Sequence, residues 1–196
     1  MYVITADQQG SRSSADRVGA LLHDLSRRAA TVRPFERTAG DEVQGVLGDA
    51  EAAADVVRLL LRDGRWAVGV GIGTVRQPLP DSTRAGAGEA FTLARDAVTR
   101  AKYRATRLAV AGTDDAAATR AQTALDLVAV LYRRRSRAGW QAVDLAAEGL
   151  SGTEVAVRLG ISKQAASQRL AAAEWAIELP SRQLMTYLLA QADAAP

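Results

Sequence analysis

The sequence contains no cysteine and a single histidine, His23. Without cysteine the chain has no disulfide, no thiolate metal site and no thiol nucleophile, and one histidine cannot form a histidine-rich metal site. No apolar run approaches the roughly 20 residues of a membrane-spanning helix, and the first residues lack the basic and apolar segments of a signal peptide. We therefore expect a cytoplasmic protein that has no membrane partner.

Positive charge is in slight excess and comes mostly from arginine. The formal net charge is +3 and the isoelectric point is near 9.7, which is compatible with a nucleic-acid partner but is common in other proteins too. A length of 196 residues with 48% hydrophobic residues suits one or two globular domains. The positions of the charges therefore carry more information than their sum.

The first 112 residues alternate between strand-like and helix-like patterns. The predicted strands are residues 2–6, 31–38, 43–47, 66–75 and 107–111, and the predicted helices are residues 13–30, 49–63 and 88–102. The order β-α-β-β-α-β-α-β predicts an α+β sandwich of the ferredoxin-like class, with helices packed on a mainly antiparallel sheet. In the strand at 66–75, glycine alternates with apolar residues, which indicates that another group approaches its backbone closely.

The pattern changes at residues 112–115, Gly-Thr-Asp-Asp, and is wholly helical from there to the end. We therefore expect two domains, an α/β domain over residues 1–112 and an all-α domain over residues 113–196. The last predicted helix, residues 181–192, carries Leu184, Met185, Leu188 and Leu189, which fit either core packing or a dimer contact.

A stretch in the C-terminal third, residues 151–175, matches a helix-turn-helix. Ser151 and Glu154 have the spacing of a capping box at the start of a short helix, and Gly160 suits the turn that ends it. Ser162 can cap a second helix, while a small residue four positions before the glycine lets the two helices cross closely. This combination is the pattern of DNA-binding helix-turn-helix units.

The second helix of this unit presents a polar face that suits the major groove of DNA. Its inward-facing residues at helical spacing are Ala166, Leu170, Ala173 and Ile177. The residues expected to contact DNA are Thr153, Ser162, Lys163, Gln164, Ser167 and Gln168, with Arg169 placed for a phosphate. The alternative is an ordinary helical hairpin with a solvated face.

An arginine cluster precedes this unit and comprises Arg133, Arg134, Arg135 and Arg137. Runs of charge are usually solvated faces, but phosphate contacts supply much of the affinity of DNA-binding proteins. Because the cluster lies beside a helix-turn-helix, we expect Arg133, Arg134 and Arg135 to contact the phosphate backbone of double-stranded DNA.

Two aspartates of the first domain are candidates for a metal site. Asp7 follows the first predicted strand, and Asp41 lies at the tip of the next hairpin. Adjacent antiparallel strands could bring both carboxylates to one hard cation such as Mg²⁺, and the turn Gly10-Ser11-Arg12 suits a phosphate. Gly-Asp is also common turn chemistry, so a structural role for these residues is the alternative.

Several segments together resemble the SatD family of bacterial proteins, which joins such a domain to a C-terminal helix-turn-helix. The matching segments are Asp7 with Gly10-Ser11-Arg12, residues 40–45 (Gly-Asp-Glu-Val-Gln-Gly), residues 69–73 (Gly-Val-Gly-Ile-Gly) and residues 94–97 (Ala-Arg-Asp-Ala). The resemblance covers nearly the whole chain. More distantly, the first domain is similar to the class III nucleotide cyclase fold.

The cyclase resemblance implies roles for individual residues. Asp7 and Asp41 match the two metal-binding aspartates. Arg37 matches a purine-contacting position, and Arg95 matches the arginine that stabilises the transition state. By the same resemblance, the residues that would contact a nucleotide or cyclic nucleotide are Gly10, Ser11, Arg12, Arg37, Gly40 and Arg95.

One position departs from the cyclase pattern. Phe91 stands where an asparagine that stabilises the transition state is expected, and a phenyl ring donates no hydrogen bond to developing charge. The resemblance therefore implies a nucleotide-binding or sensing domain without catalytic residues. Class III domains also form head-to-tail dimers, which would pair two DNA-binding units.

These features together predict a homodimeric, DNA-binding transcriptional regulator whose first domain senses a nucleotide or cyclic nucleotide, with Mg²⁺ as a possible cofactor. One alternative is an active nucleotide cyclase or phosphohydrolase with a DNA-binding output. Another is a first domain that serves only as a dimerisation scaffold.

Overall fold

A computed structural model describes residues 1–11 and 13–194. Within them the chain forms five strands, β1 (Tyr2–Gln8), β2 (Arg33–Ala39), β3 (Glu42–Leu47), β4 (Trp66–Ile72) and β5 (Leu108–Gly112). The α-helices of the same residues are α1 (Val18–Arg28), α2 (Ala50–Asp63), α3 (Glu89–Ala101), α4 (Asp115–Arg134), α5 (Arg137–Ala147), α6 (Gly152–Leu159), α7 (Lys163–Ala172) and α8 (Glu178–Asp193). The predicted α+β class and the order of elements up to residue 112 are confirmed.

The first predicted helix, residues 13–30, is too long at both ends. Helix α1 starts only at Val18, because the side chain of Gln8 holds the preceding turn: its Oε1 accepts from the backbone N–H of Arg17 and its Nε2 donates to the carbonyl of Ala15. The predicted strand at 66–75 is likewise shorter and ends at Ile72.

The five strands form one mixed sheet in the order β2-β3-β1-β4-β5. All neighbours are antiparallel except β4 and β5, which are parallel and connected through α3. The expectation of a mainly antiparallel sheet is confirmed. The hairpin β2–β3 places its turn, which contains Asp41, beside the end of β1, where Asp7 pairs with Glu42.

Helix α3 covers one face of the sheet and lies directly on β4. A Cβ atom at Gly69 would be 2.2 Å from the backbone nitrogen of Val98, and one at Gly71 would be 2.1 Å from the carbonyl oxygen of Ala90. Only hydrogen fits at these two positions. The close approach predicted for this strand is therefore present, and the approaching group is the backbone of α3.

The opposite face of the sheet is covered by α1, α2 and α4, and α8 packs against α2 and α4. All four helices share one hydrophobic core with the sheet. Leu125 of α4 and Leu189 of α8 are fully buried there, and the hydroxyl of Tyr2 in β1 donates to the carbonyl of Leu189 at 3.1 Å. Two helices of the predicted second domain, α4 and α8, therefore share a core with the sheet domain. Among the described residues no helix combines the length and apolarity needed to cross a membrane.

A smaller core lies within α5, α6 and α7. Its buried members are Ala142, Ala146, Val155, Ala156 and Ala166. The helical segment thus divides into a trihelical unit, α5–α7, and two helices, α4 and α8, that belong to the sheet.

Candidate functional site

The predicted capping box starts α6. The hydroxyl oxygen of Ser151 accepts from the backbone N–H of Glu154 at 3.3 Å, and Oε2 of Glu154 accepts from the backbone N–H of Ser151 at 2.7 Å. Gly160 ends the helix with φ 65° and ψ 35°, a left-handed conformation that costs glycine little. Capping and turn are as the sequence predicts.

The second helix, α7, also starts as predicted. The hydroxyl oxygen of Ser162 accepts from the backbone N–H of Ala165 at 3.1 Å. Ala156 and Ala166 are both buried in the small core, where α6 and α7 contact each other. Two alanines at this position allow the close crossing that a helix-turn-helix requires.

One residue of the predicted inward face points elsewhere. Ala166 and Ala173 are buried and Leu170 is partly buried, but Ile177 is 47% exposed. The reason is that α7 ends at Ala172 and Glu174 takes a left-handed conformation with φ 55°, which redirects the chain before Ile177.

The polar face of this unit is open to solvent. The exposed members of the predicted DNA contacts are Thr153, Ser162, Lys163, Gln164, Ser167 and Gln168. Arg169 is half-buried at the edge of this face. The side chains nearest the start of α7 thus stand on its free side, where the N-terminal turns of a recognition helix meet base edges.

The arginine cluster separates into two kinds of residue. Arg133 and Arg134 are exposed at the end of α4, and Arg133 donates to the carbonyl of Ala105. Arg135 is buried, and its guanidinium pairs with the carboxylate of Glu178 at 2.9 Å. The predicted phosphate contact of Arg135 is therefore wrong, because its charge is enclosed and already neutralised.

Glu178 is the centre of a buried polar cluster that joins α2, α4 and α8. Its Oε1 accepts from the hydroxyl of Tyr132 at 2.8 Å and from Arg58 at 3.1 Å, and its Oε2 accepts from Arg135. Arg135 also donates through Nε to the carbonyl of Ala173 at 3.0 Å. The cluster therefore holds the end of the trihelical unit against the sheet domain.

Burial and charge act in opposite directions on the pKa of Glu178. Burial by itself would raise the pKa of Glu178, but hydrogen bonds from Tyr132 and Arg135 and the charges of Arg135 and Arg58 hold that pKa below its ordinary value. Burial raises the pKa of the Tyr132 hydroxyl to about 12. Glu178 is thus ionised and Tyr132 neutral at neutral pH.

A second contact joins α5 to α2. Both terminal nitrogens of Arg62 donate to the carboxylate of Asp144 at 2.6 Å, and the guanidinium lies 4.5 Å from the ring centroid of Trp140. The ring of Trp140 also stacks against the guanidinium of Arg135, at 4.3 Å. Arg62 and Arg135 therefore attach the trihelical unit to the sheet domain. The flat guanidinium of each lies on the ring of Trp140 and also pairs with a carboxylate.

The two candidate aspartates meet at a pocket of about 580 Å³ beside the end of β1. The backbone N–H of Gln8 donates to the carbonyl of Asp41 at 3.0 Å and holds the hairpin turn in place. The residues that line the pocket are Asp7, Gln8, Gln9, Gly10, Ser11, Asp41, Ala67, Lys102 and Arg107. The predicted convergence of Asp7 and Asp41 with the Gly10–Ser11 turn is thus present.

Lys102, which follows the last residue of α3, was not predicted to belong to this site. Its Nζ lies 2.5 Å from Oδ2 of Asp7, and the hydroxyl of Ser11 donates to Oδ2 of Asp41. The hydrogen bond with Asp7, followed by the charges of Asp7, Glu42 and Asp41, holds the pKa of Lys102 above its ordinary value.

The arrangement does not fit the Mg²⁺ site expected from the sequence. The ammonium of Lys102 already neutralises Asp7, and Asp41 accepts a hydroxyl donor. Over residues 1–11 and 13–194 there is also no group of three acidic, histidine or cysteine side chains that could hold a metal ion. Mg²⁺ is usually held by one or two carboxylates together with waters and substrate phosphates, so an ion at this site would have to displace Lys102 from Asp7.

The remaining candidates for nucleotide contact are dispersed. Arg37 lies on the same hairpin and donates at 2.6 Å to the carbonyl of Gly40 and to Asp16. Arg95 is exposed on α3 and is not among the described residues that line the pocket. Arg12 lies outside the described residues. Phe91 is buried in the core under α3, consistent with its lack of hydrogen-bonding chemistry.

No protein-family model, no curated protein and no solved structure matches this chain. The resemblance to the SatD family and to nucleotide cyclases therefore stays a prediction.

Proposed function

We propose that this protein is a transcriptional regulator that binds double-stranded DNA through α6 and α7. The observation that carries the proposal is the trihelical unit itself: two capped helices, a left-handed glycine between them, and an exposed polar face on the second helix. Lys163, Gln164, Ser167 and Gln168 are the base readers in this proposal, since lysine and glutamine side chains hydrogen-bond base edges. Arg133 and Arg134 supply phosphate contacts.

The proposed DNA-binding form is a homodimer, because helix-turn-helix units read two half-sites with two copies. Helix α8 offers a surface for a second copy of the chain. Its inner residues, Met185 and Leu189, are buried in the core, whereas Leu184 and Tyr187 are 48% and 59% exposed on its outer side. In the proposed homodimer these two side chains pack against the second copy.

The proposed role of the sheet domain is to sense a nucleotide or cyclic nucleotide in the cytoplasm. Its first four strands follow the order of the ferredoxin-like arrangement, to which nucleotide cyclases are similar. Four residues that the resemblance assigns to the metal and the nucleotide, Asp7, Asp41, Gly10 and Ser11, line one pocket. Catalysis is not part of the proposal, because the residues at Asp7 and Asp41 do not fit the metal that a cyclase requires.

Replacing Gln164 with alanine is expected to weaken binding to a specific duplex by about 1–3 kcal/mol, because a bidentate base contact is lost. Binding to a shuffled duplex is expected to change little. The specific duplex is one enriched from a random pool by the wild-type protein, and fluorescence anisotropy measures both affinities. Arg134→Ala is expected to weaken binding to the specific and the shuffled duplex alike. It should also reduce the slope of log affinity against log salt concentration by about one.

The matched control is Gln77→Ala, an exposed glutamine between β4 and α3 that is outside both the trihelical unit and α8. It is expected to leave both affinities unchanged. Equal losses of Gln164→Ala on the specific and shuffled duplexes would contradict the placement of the recognition helix. Sedimentation of the free protein and of its complex tests the proposed homodimer.

Nucleotide binding is expected to raise the melting temperature, because a ligand that binds only the folded state stabilises it by about 2.7 kcal/mol at one hundred times its Kd. The probes are ATP, GTP and their cyclic monophosphates, each with and without Mg²⁺. Ser11→Trp, which fills the pocket from the Gly10–Ser11 turn, is the control and should abolish the shift. If none of the four nucleotides changes the melting temperature or DNA binding, the sensing role is withdrawn.

A further inference from the structure

The edge of the sheet at the end of β1 gathers three carboxylates. Asp7 lies opposite Glu42 across the β1–β3 ladder, and Asp41 precedes Glu42 in the hairpin turn. The side chain of Asp7 is only 16% exposed. Like charges that converge at a partly buried position raise each other's free energy unless a cation lies between them.

Lys102 supplies that cation from the other side of the pocket. It follows the last residue of α3, where the helix dipole favours a positive charge, and its ammonium contacts Asp7. The same ammonium is close enough to Asp41 and Glu42 for all three acids to raise its pKa. The Lys102 side chain is 42% exposed, but its partner Asp7 is only 16% exposed, and both residues line one pocket together with Asp41.

We propose that the ammonium of Lys102 is a built-in cation, which neutralises Asp7 in the pocket where a divalent metal shared by Asp7 and Asp41 would otherwise bind. The pocket accordingly does not bind a metal ion. A divalent cation would have to displace the lysine and lose much of its own hydration to bind there. The inference concerns the sheet domain alone and does not depend on DNA binding or on a nucleotide.

The inference is tested with Mn²⁺ as the probe, measured by the loss of its free electron paramagnetic resonance signal on the full chain. Wild-type protein is expected to show no saturable binding below about 1 mM, whereas Lys102→Met binds one ion with a Kd of about 0.1–1 mM, typical of a weak carboxylate site. Methionine keeps most of the aliphatic length of lysine and removes only the charge. Lys102→Gln provides a second neutral replacement.

Two controls locate the effect. Lys163→Met removes the same charge from the DNA-binding face, so it should behave like wild type. The double variant Lys102→Met with Asp41→Asn should lose the Mn²⁺ binding gained by Lys102→Met. Two results would overturn the inference: Mn²⁺ binding by the wild type as tight as by Lys102→Met, or no binding by either Lys102 variant. Mn²⁺ binding to the wild-type protein tests the inference even if a variant fails to fold.

Discussion

Replacing Glu178 with alanine is expected to lower the free energy of unfolding by about 3–5 kcal/mol, because it leaves the buried guanidinium of Arg135 without a counter-charge. In a protein of this size, such a loss lowers the melting temperature by about 6–20 °C. Thermal unfolding followed by circular dichroism measures the change. DNA affinity should fall as well, since Arg135 also binds the carbonyl of Ala173 in the trihelical unit.

Glu148→Ala is the matched control, because Glu148 is exposed at the end of α5 and surface substitutions usually cost less than about 0.5 kcal/mol. If the melting temperature of Glu178→Ala lies within 2 °C of that of the control, the loss in free energy of unfolding is on the order of 1 kcal/mol or less. That result would contradict a structural role for the cluster. Glu178→Gln adds a pH test. The folded-state pKa of Glu178 is lowered, so its stabilisation is present above the pKa of an unfolded glutamate and is lost as pH falls through the folded-state pKa. The Glu178→Gln variant should lack this pH-dependent part of the stability.

Gly71→Ala is expected to destabilise the protein by about 3 kcal/mol or more, because the added Cβ would overlap the backbone of α3. The clash involves the carbonyl oxygen of Ala90 and the nitrogen of Ala94, neither of which can rotate away as a side chain can. Relief requires α3 to move off the sheet, which separates the apolar surfaces that it buries. Chemical denaturation at equilibrium gives the change in the free energy of unfolding.

The control for this substitution lies two residues along the chain. A Cβ atom at Gly73 would come no closer than 3.4 Å to its neighbours, and the nearest is the mobile end of the Glu89 side chain. Gly73→Ala should therefore change the free energy of unfolding by less than about 1 kcal/mol. Similar losses in the free energy of unfolding for Gly71→Ala and Gly73→Ala would show that the packing of α3 does not require glycine in β4.

The features that the sequence predicts correctly are mostly local. Ser151 and Glu154, or Ser162 and the backbone three residues later, interact within one helical turn, so their spacing alone defines the cap. Gly160 is similarly defined by the conformation of a single residue. The alternation of glycine with apolar residues in β4 indicates a close approach, although it does not identify α3 as the partner.

The features that it does not predict depend on contacts between distant residues. Arg135 and its neighbour Arg134 are the same type of residue, but Arg135 is buried against Glu178 of a later helix whereas Arg134 is exposed. Lys102 and Asp7 lie on different elements, and no spacing rule connects them. The apolar stripe of α8 likewise indicates burial without indicating that α2 and α4 are its partners.

The position of α8 has a consequence for biosynthesis. Helix α8 packs on α2 and α4 and contacts Tyr2 of β1 through the carbonyl of Leu189, although the ribosome makes α8 and β1 at opposite ends of the described chain. At typical rates of about 5–20 residues per second, β1 waits on the order of 10–35 s for this partner. The trihelical unit, whose contacts are short-range, is complete earlier. The nascent chain therefore completes the trihelical unit while the sheet domain still exposes apolar surface to chaperones and to other nascent chains.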